Sequence, residues 1–194
     1  SMDAMSGGFS LTVNTAGATA FNGAVSGLTA ITTDSAGTNT LAGDLSASGA
    51  ISLGGATTLS GTTRSVTSTG STVSFGSTLN GASALTVSSS SGATFTGAVG
   101  GTTALTSLSV TGPATLNGGS VATSGAQSYA GALTLGANTT LSSSGSGNIS
   151  VAGASGAFSL TVNTAGATAF TGTTSGLTAL TTLDGSAIAQ SIGD

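Results

Sequence analysis

Apolar residues along this chain alternate with hydroxyls. Leu11-Thr12-Val13, Ile51-Ser52-Leu53, Val73-Ser74-Phe75, Leu85-Thr86-Val87 and Leu160-Thr161-Val162 each put two apolar side chains on one face and a Ser or Thr on the other. A period of two over such short runs predicts strands, and no 3.6-residue period competes with it. Asn22-Gly23, Gly54-Gly55, Asn80-Gly81, Gly100-Gly101 and Asn117-Gly118-Gly119 separate the runs. Residues free to adopt positive φ belong at corners. Phe21, Ile31 and Leu41 fall ten apart, and Phe95, Leu105 and Leu116 fall ten and eleven apart. Short strands at this spacing build either a β-sandwich or a solenoid.

A longer period overlies the short one. FSLTVNTAGATAFNGAVSGLTAITT, from Phe9 to Thr33, returns as FSLTVNTAGATAFTGTTSGLTALTT, from Phe158 to Thr182. Between them a looser copy keeps Leu85, Val87, Phe95, Gly97, Val99 and Leu105 in the places of Leu11, Val13, Phe21, Gly23, Val25 and Ile31. The period is about 75 residues, with one-residue variations at the corners, as self-similar stacked architectures show. Two or three strands per coil give coils of about 20 to 30 residues, hence about three coils per unit, seven to nine in all, and a length of roughly 35 to 45 Å. Phe21, Phe95 and Phe170 hold equivalent places in the three copies, so they are expected to point inward and stack at related levels.

Composition decides between sandwich and solenoid. Only 3% of residues are charged, against about 25% in ordinary soluble domains, and Lys, Glu, His, Cys and Trp are absent. Aromatics are 4%. That is too few to fill the roughly 10 Å between two sandwich sheets, whereas a narrow aliphatic core suits an all-β parallel β-helix. The 33 glycines raise the alternative of a flexible coil, but 38% hydrophobic residues set between threonines argue for pleated strands. With no cysteine, no disulfide framework forms. A net charge of −4 with one arginine argues against nucleic-acid binding and against anionic membrane surfaces. No stretch approaches the ~18 consecutive apolar residues of a spanning helix. Residues 1–5 resemble a remnant of expression cloning, 6–183 read as one solenoid array, and 184–194 as a divergent stretch expected to cap it in part.

Catalytic raw material is scarce. Without His, Lys, Cys or Glu, a serine lacks its usual base, so no catalytic, cofactor-binding or metal-ligating residue is expected and no cofactor is implied. Asp34 and Asp44, ten apart on adjacent corners, read as solvated turn residues, with a weak calcium contact as the sharper alternative. Arg64 reads as a solvated side chain rather than a ligand contact. Gly145-Ser-Gly147-Asn-Ile-Ser150 approaches a dinucleotide-binding fingerprint, but no helix follows it. Asn138-Thr139-Thr140 and Asn148-Ile149-Ser150 fit a glycosylation sequon that this composition produces by chance. Thr38-Asn-Thr40, Thr67-Ser-Thr69, Thr94-Phe-Thr96 and Thr171-Gly-Thr173 suggest ice binding. Compared at the 75-residue offset they fall out of register, Thr94 and Thr96 matching Ala20 and Asn22.

Gly92-Ala-Thr-Phe95-Thr-Gly-Ala-Val99-Gly-Gly-Thr-Thr-Ala-Leu105-Thr-Ser-Leu108 and Gly118-Gly-Ser-Val121-Ala-Thr-Ser-Gly-Ala-Gln127-Ser-Tyr129 resemble repeats of filamentous-haemagglutinin-like large secreted bacterial adhesins. The resemblance covers nearly the whole chain. It implies a right-handed parallel β-helix, export by two-partner or autotransporter secretion, and a place at the bacterial outer surface. The Asn-Pro-Asn-Leu motif of that family's secretion domain is absent, so the resemblance extends to the shaft. The functional expectation is a structural stalk. Host or neighbouring-cell surfaces would be met through other parts of the parent protein, and solenoid ends would invite end-to-end self-association. Ice binding and glycan binding are the rival expectations.

Overall fold

A computed structural model describes residues 1–183 and 188–190. Every strand pairing among them is parallel, and the strands fall into three sheets that the chain visits in strict rotation. Sheet 1 has ten strands, starting with Met5–Ser6, Val25–Leu28 and Leu45–Ala47; sheet 2 has nine, starting with Ser10–Val13, Ala30–Thr33 and Ile51–Leu53. Sheet 3 consists of two four-stranded halves, beginning at Ala18–Phe21 and at Ser120–Thr123. The chain is thus a parallel β-solenoid of about nine turns, near 43 Å long at ~4.8 Å per turn.

Register follows from alternation. Val25, Leu45, Val66, Val87, Val110, Tyr129, Val151 and Phe170 lie above one another in sheet 1. Successive members are 19 to 23 residues apart. In sheet 2, Leu53, Phe75, Phe95, Leu116 and Leu135 form one inward row, and Ile51, Val73, Ala93, Ala114 and Leu133 form the row beside it. Large side chains stand next to small ones, so the narrow interior fills with few aromatics. Phe75 and Phe95 stack with ring centroids 5.3 Å apart and 10° between planes, a favourable pair in its own right.

Phe21, Phe95 and Phe170 are all buried, as expected. They do not stack on each other. Phe21 lies in sheet 3, Phe95 in sheet 2 and Phe170 in sheet 1. The reason is arithmetic: with three strands per turn, each step between equivalent phenylalanines advances eleven strand positions, counting the Val99 bridge as one. Eleven positions are three turns and two thirds, so the same sequence reappears on another face.

The corners are closed by buried hydroxyls at strand ends. Ser68 Oγ donates to Gly49 O (2.7 Å), Ser89 Oγ to Gly92 O (2.7 Å) and Thr164 Oγ1 to Gly147 O (2.7 Å). Chain reversal buries carbonyls that no ladder reaches, and these side chains satisfy them. Stacked corners also press backbone on backbone. A β-carbon on Gly118 would fall on the carbonyl group of Gly97, one turn below. The ladder extends into the first five residues: Met2 N donates to Ala20 O (2.7 Å), and Met5–Ser6 pairs with Val25 and Ser26. Of 184–194 only the strand Ile188–Gln190, paired to Thr168–Phe170, lies within the described residues; the capping expectation otherwise falls outside them.

Candidate functional site

The described surface departs from regular winding most clearly where sheet 3 divides. Above Leu79–Asn80, Val99 makes a single bridge to Leu79 below and Val121 above. Gly100 then turns the chain out of the ladder at φ +71°, a conformation that disfavours a side chain. Leu105 re-enters to bridge Thr123. The excursion is tethered, since Asn80 Oδ1 accepts the backbone N–H groups of Thr102 (2.9 Å) and Thr103 (3.3 Å). Above it runs a groove of about 380 Å³ lined by Ala104, Ala122, Ser142, Ser144, Asn163 and Ala165, among others. Ala122, Ser142 and Asn163 occupy successive rungs of one outward row. The lining is neutral and contains no ionisable group. The groove can offer hydroxyls and one amide, but no acid, base or nucleophile with its base.

The ionisable side chains are placed structurally. Arg64 is the clearest correction to the sequence reading: its side chain is only 17% exposed. It occupies the row position opposite Leu85, folds back to donate from Nε to Ser60 O (2.6 Å), and lies 3.6 Å from Asp44. Asp44 Oδ1 also accepts Ser65 N–H (2.9 Å), the residue one turn above it. Asp34 and Asp44 follow sheets 2 and 3 respectively and so sit on adjacent corners. No cluster of three or more metal-ligating side chains occurs among the described residues.

One role escaped the sequence reading. Asn138 Oδ1 accepts Ser159 N–H (3.0 Å), and Asn148 Oδ1 accepts Ala167 N–H (2.9 Å). Together with Asp44 and Asn80, these side chains reach from one turn to the next at corners, continuing the ladder where the backbone cannot. The sequon asparagines are thus turn-to-turn ties. The glycine run Gly145–Ser150 is likewise a corner, between the strands Thr139–Ser143 and Ile149–Val151.

Inside the solenoid, Gln127 joins two faces. Its Nε2 donates to Ser142 O (2.8 Å), Thr123 Oγ1 (3.2 Å) and Val121 O (3.3 Å), while its Oε1 accepts the Tyr129 hydroxyl (3.2 Å). Burial pushes the Tyr129 hydroxyl well above the usual tyrosine range.

The threonine comparison also changes. Positions 75 residues apart lie on different sheets, so that offset does not compare neighbours. The rungs next to Thr94 are Ser74 and Thr115, not positions in the sequence copies. Followed rung by rung, sheet 2 carries Thr12, Thr32, Ser52, Ser74, Thr94, Thr115, Thr134, Ser155 and Ser175 in one outward column. Every member bears a hydroxyl.

No known protein family, curated protein or solved structure matches the chain.

Proposed function

We propose that this chain is a shaft: a stiff, non-catalytic spacer in a large adhesin displayed at a bacterial surface, wound as a right-handed parallel β-helix from units of about 75 residues. The observation that supports this best is the use of its polar side chains. Buried hydroxyls close the corners, Asx side chains tie turns together, and the arginine pairs with an aspartate of the turn below. The polar groups are thus used mostly in holding one turn to the next. A ladder bonded above and below at each interior turn resists bending and extension without relying on ionic contacts that salt would screen. The resemblance to filamentous-haemagglutinin-like repeats supports the setting, at the outer surface with recognition elsewhere in the parent. The test is a glycan array and host-cell binding with the isolated chain, beside the same assays on the parent protein. The expected result is binding by the parent and none by the chain; strong, saturable binding by the chain overturns the reading.

A second reading rests on the nine-rung hydroxyl column. Hydroxyls repeated at ~4.8 Å on a rigid sheet can order water, and an ice-binding surface requires such register. Thermal hysteresis of the isolated chain decides it: freezing depression that is lost on replacing Thr94 and Thr115 by Val and Leu would favour ice binding over the shaft.

A further inference from the structure

The near-identical segments Phe9–Thr33 and Phe158–Thr182 fold alike on different faces. Ser10–Val13 lies on sheet 2 and Ala18–Phe21 on sheet 3, whereas the matching Ser159–Thr164 lies on sheet 3 and Thr168–Phe170 on sheet 1. Phe21 packs in register below Leu41, Phe95 between Phe75 and Leu116, and Phe170 above Val151. Each is buried to within 1%. One strand–corner–strand sequence is therefore satisfied by whichever face receives it, because each face offers the same things: aliphatic rows inside, a parallel ladder, and a hydroxyl at the corner.

From this we infer that the three faces are interchangeable, and that gain or loss of one 75-residue unit continues the ladder while turning everything beyond it by a third of a turn. Such a unit adds about 18 Å at ~4.8 Å per turn. Unit number then sets azimuth as well as reach, and any surface feature within the unit is presented on three sides in succession. This rests on the shaft reading above, which supplies a reason for reach and direction to matter.

The experiment deletes residues 85–159, joining Ala84 to Leu160. The strand Ser159–Thr164 then supplies the rung now held by Ala84–Ser89, moving from sheet 3 to sheet 1. Phe170 takes the seat of Phe95 above Phe75, and Ala169 takes that of Thr94 beside Ser74. The chain has no cysteine, so Ser74→Cys with Ala169→Cys reports the new register directly. Adjacent parallel rungs lie within disulfide reach.

In the deletion variant the pair should cross-link to the same extent as Ser74→Cys with Thr94→Cys does in the full chain. In the full chain Ser74→Cys with Ala169→Cys should stay unlinked, since these residues lie on different sheets more than four turns apart. A second deletion, residues 85–148, joins Ala84 to Ile149, removing three whole turns and keeping every face in place. Should the 85–159 deletion fail to fold or fail to cross-link, interchangeability is overturned. If the 85–148 deletion folds in that case, the faces are distinct and the shaft reading stands without it.

Discussion

Tyr129 is the sole tyrosine of the chain, and it makes the interior titratable. Its ring occupies an inward row position between Val110 and Val151, is 1% exposed, and has Gln127 as hydroxyl partner. Removing its proton would leave a phenolate without a cation beside it, so folding holds the group protonated. The unfolded chain ionises it near pH 10. Because the folded pKa lies above the unfolded one, the unfolded state loses the proton first. Tyr129 therefore adds no pH dependence below about pH 9, and above pH 10 stability falls by about 1.4 kcal/mol per unit, some 2.7 kcal/mol by pH 12. No lysine or cysteine titrates beside it to mask the slope. Denaturant midpoints from far-UV circular dichroism at pH 7 to 12 measure the loss, and absorbance near 295 nm counts tyrosinate. Both should change together, tyrosinate rising only as strand signal disappears. Tyr129→Phe should abolish the alkaline slope, at a cost near 1 kcal/mol at neutral pH for the unpaired Gln127 Oε1. A tyrosinate band rising reversibly near pH 10 with the strand spectrum intact would refute the burial argument.

Two further outcomes follow from packing. Phe95→Asp removes the stacked ring beside Phe75 and buries an unpaired carboxylate, so it should cost more than the about 3–5 kcal/mol of a Phe→Ala core truncation and unfold the middle turns in a thermal melt; melting like the parent would show that Phe95 lies outside the core. Gly118→Ala should lower stability by about 1–3 kcal/mol through backbone displacement against Gly97, whereas Gly8→Ala, whose added carbon meets nothing within 4 Å, should leave the denaturant midpoint unchanged.

The strands were legible in the sequence because alternation is a property of each strand alone. Leu85-Thr86-Val87 needs no partner to declare which side faces in. The turn length was not legible in the same way. Members of one inward row, such as Val110, Tyr129, Val151 and Phe170, share only bulk and apolarity. They leave a faint 20-residue signal under the strong 75-residue one. The stronger period was therefore mistaken for a whole number of coils. That error carried the phenylalanines onto a common stack and the threonines out of register. Arg64 was misread for a related reason: its partner Asp44 is one turn below, a relation that appears only once 20-residue neighbours are known.

The two periods together bear on which features of the surface can be under face-specific selection. A unit copied with a two-thirds-turn offset places its next copy on another face, so a binding array confined to one face is not propagated by duplicating the unit. The column on sheet 2 shows this in its members: Thr94 belongs to that column, while its counterpart Ala20 belongs to sheet 3 and Ala169 to sheet 1. Its nine hydroxyls therefore derive from different positions of the unit. Two causes could give that result, a surface so rich in Ser and Thr that one column fills, or selection on sheet 2 after duplication. The column's own composition weighs toward the first, since serine and threonine alternate irregularly along it, while a surface matched to a lattice would favour one side chain at each rung. The shaft reading needs no such uniformity. It requires only that every face carry small neutral side chains outside and aliphatic rows inside, which a unit able to fold on any of the three faces supplies.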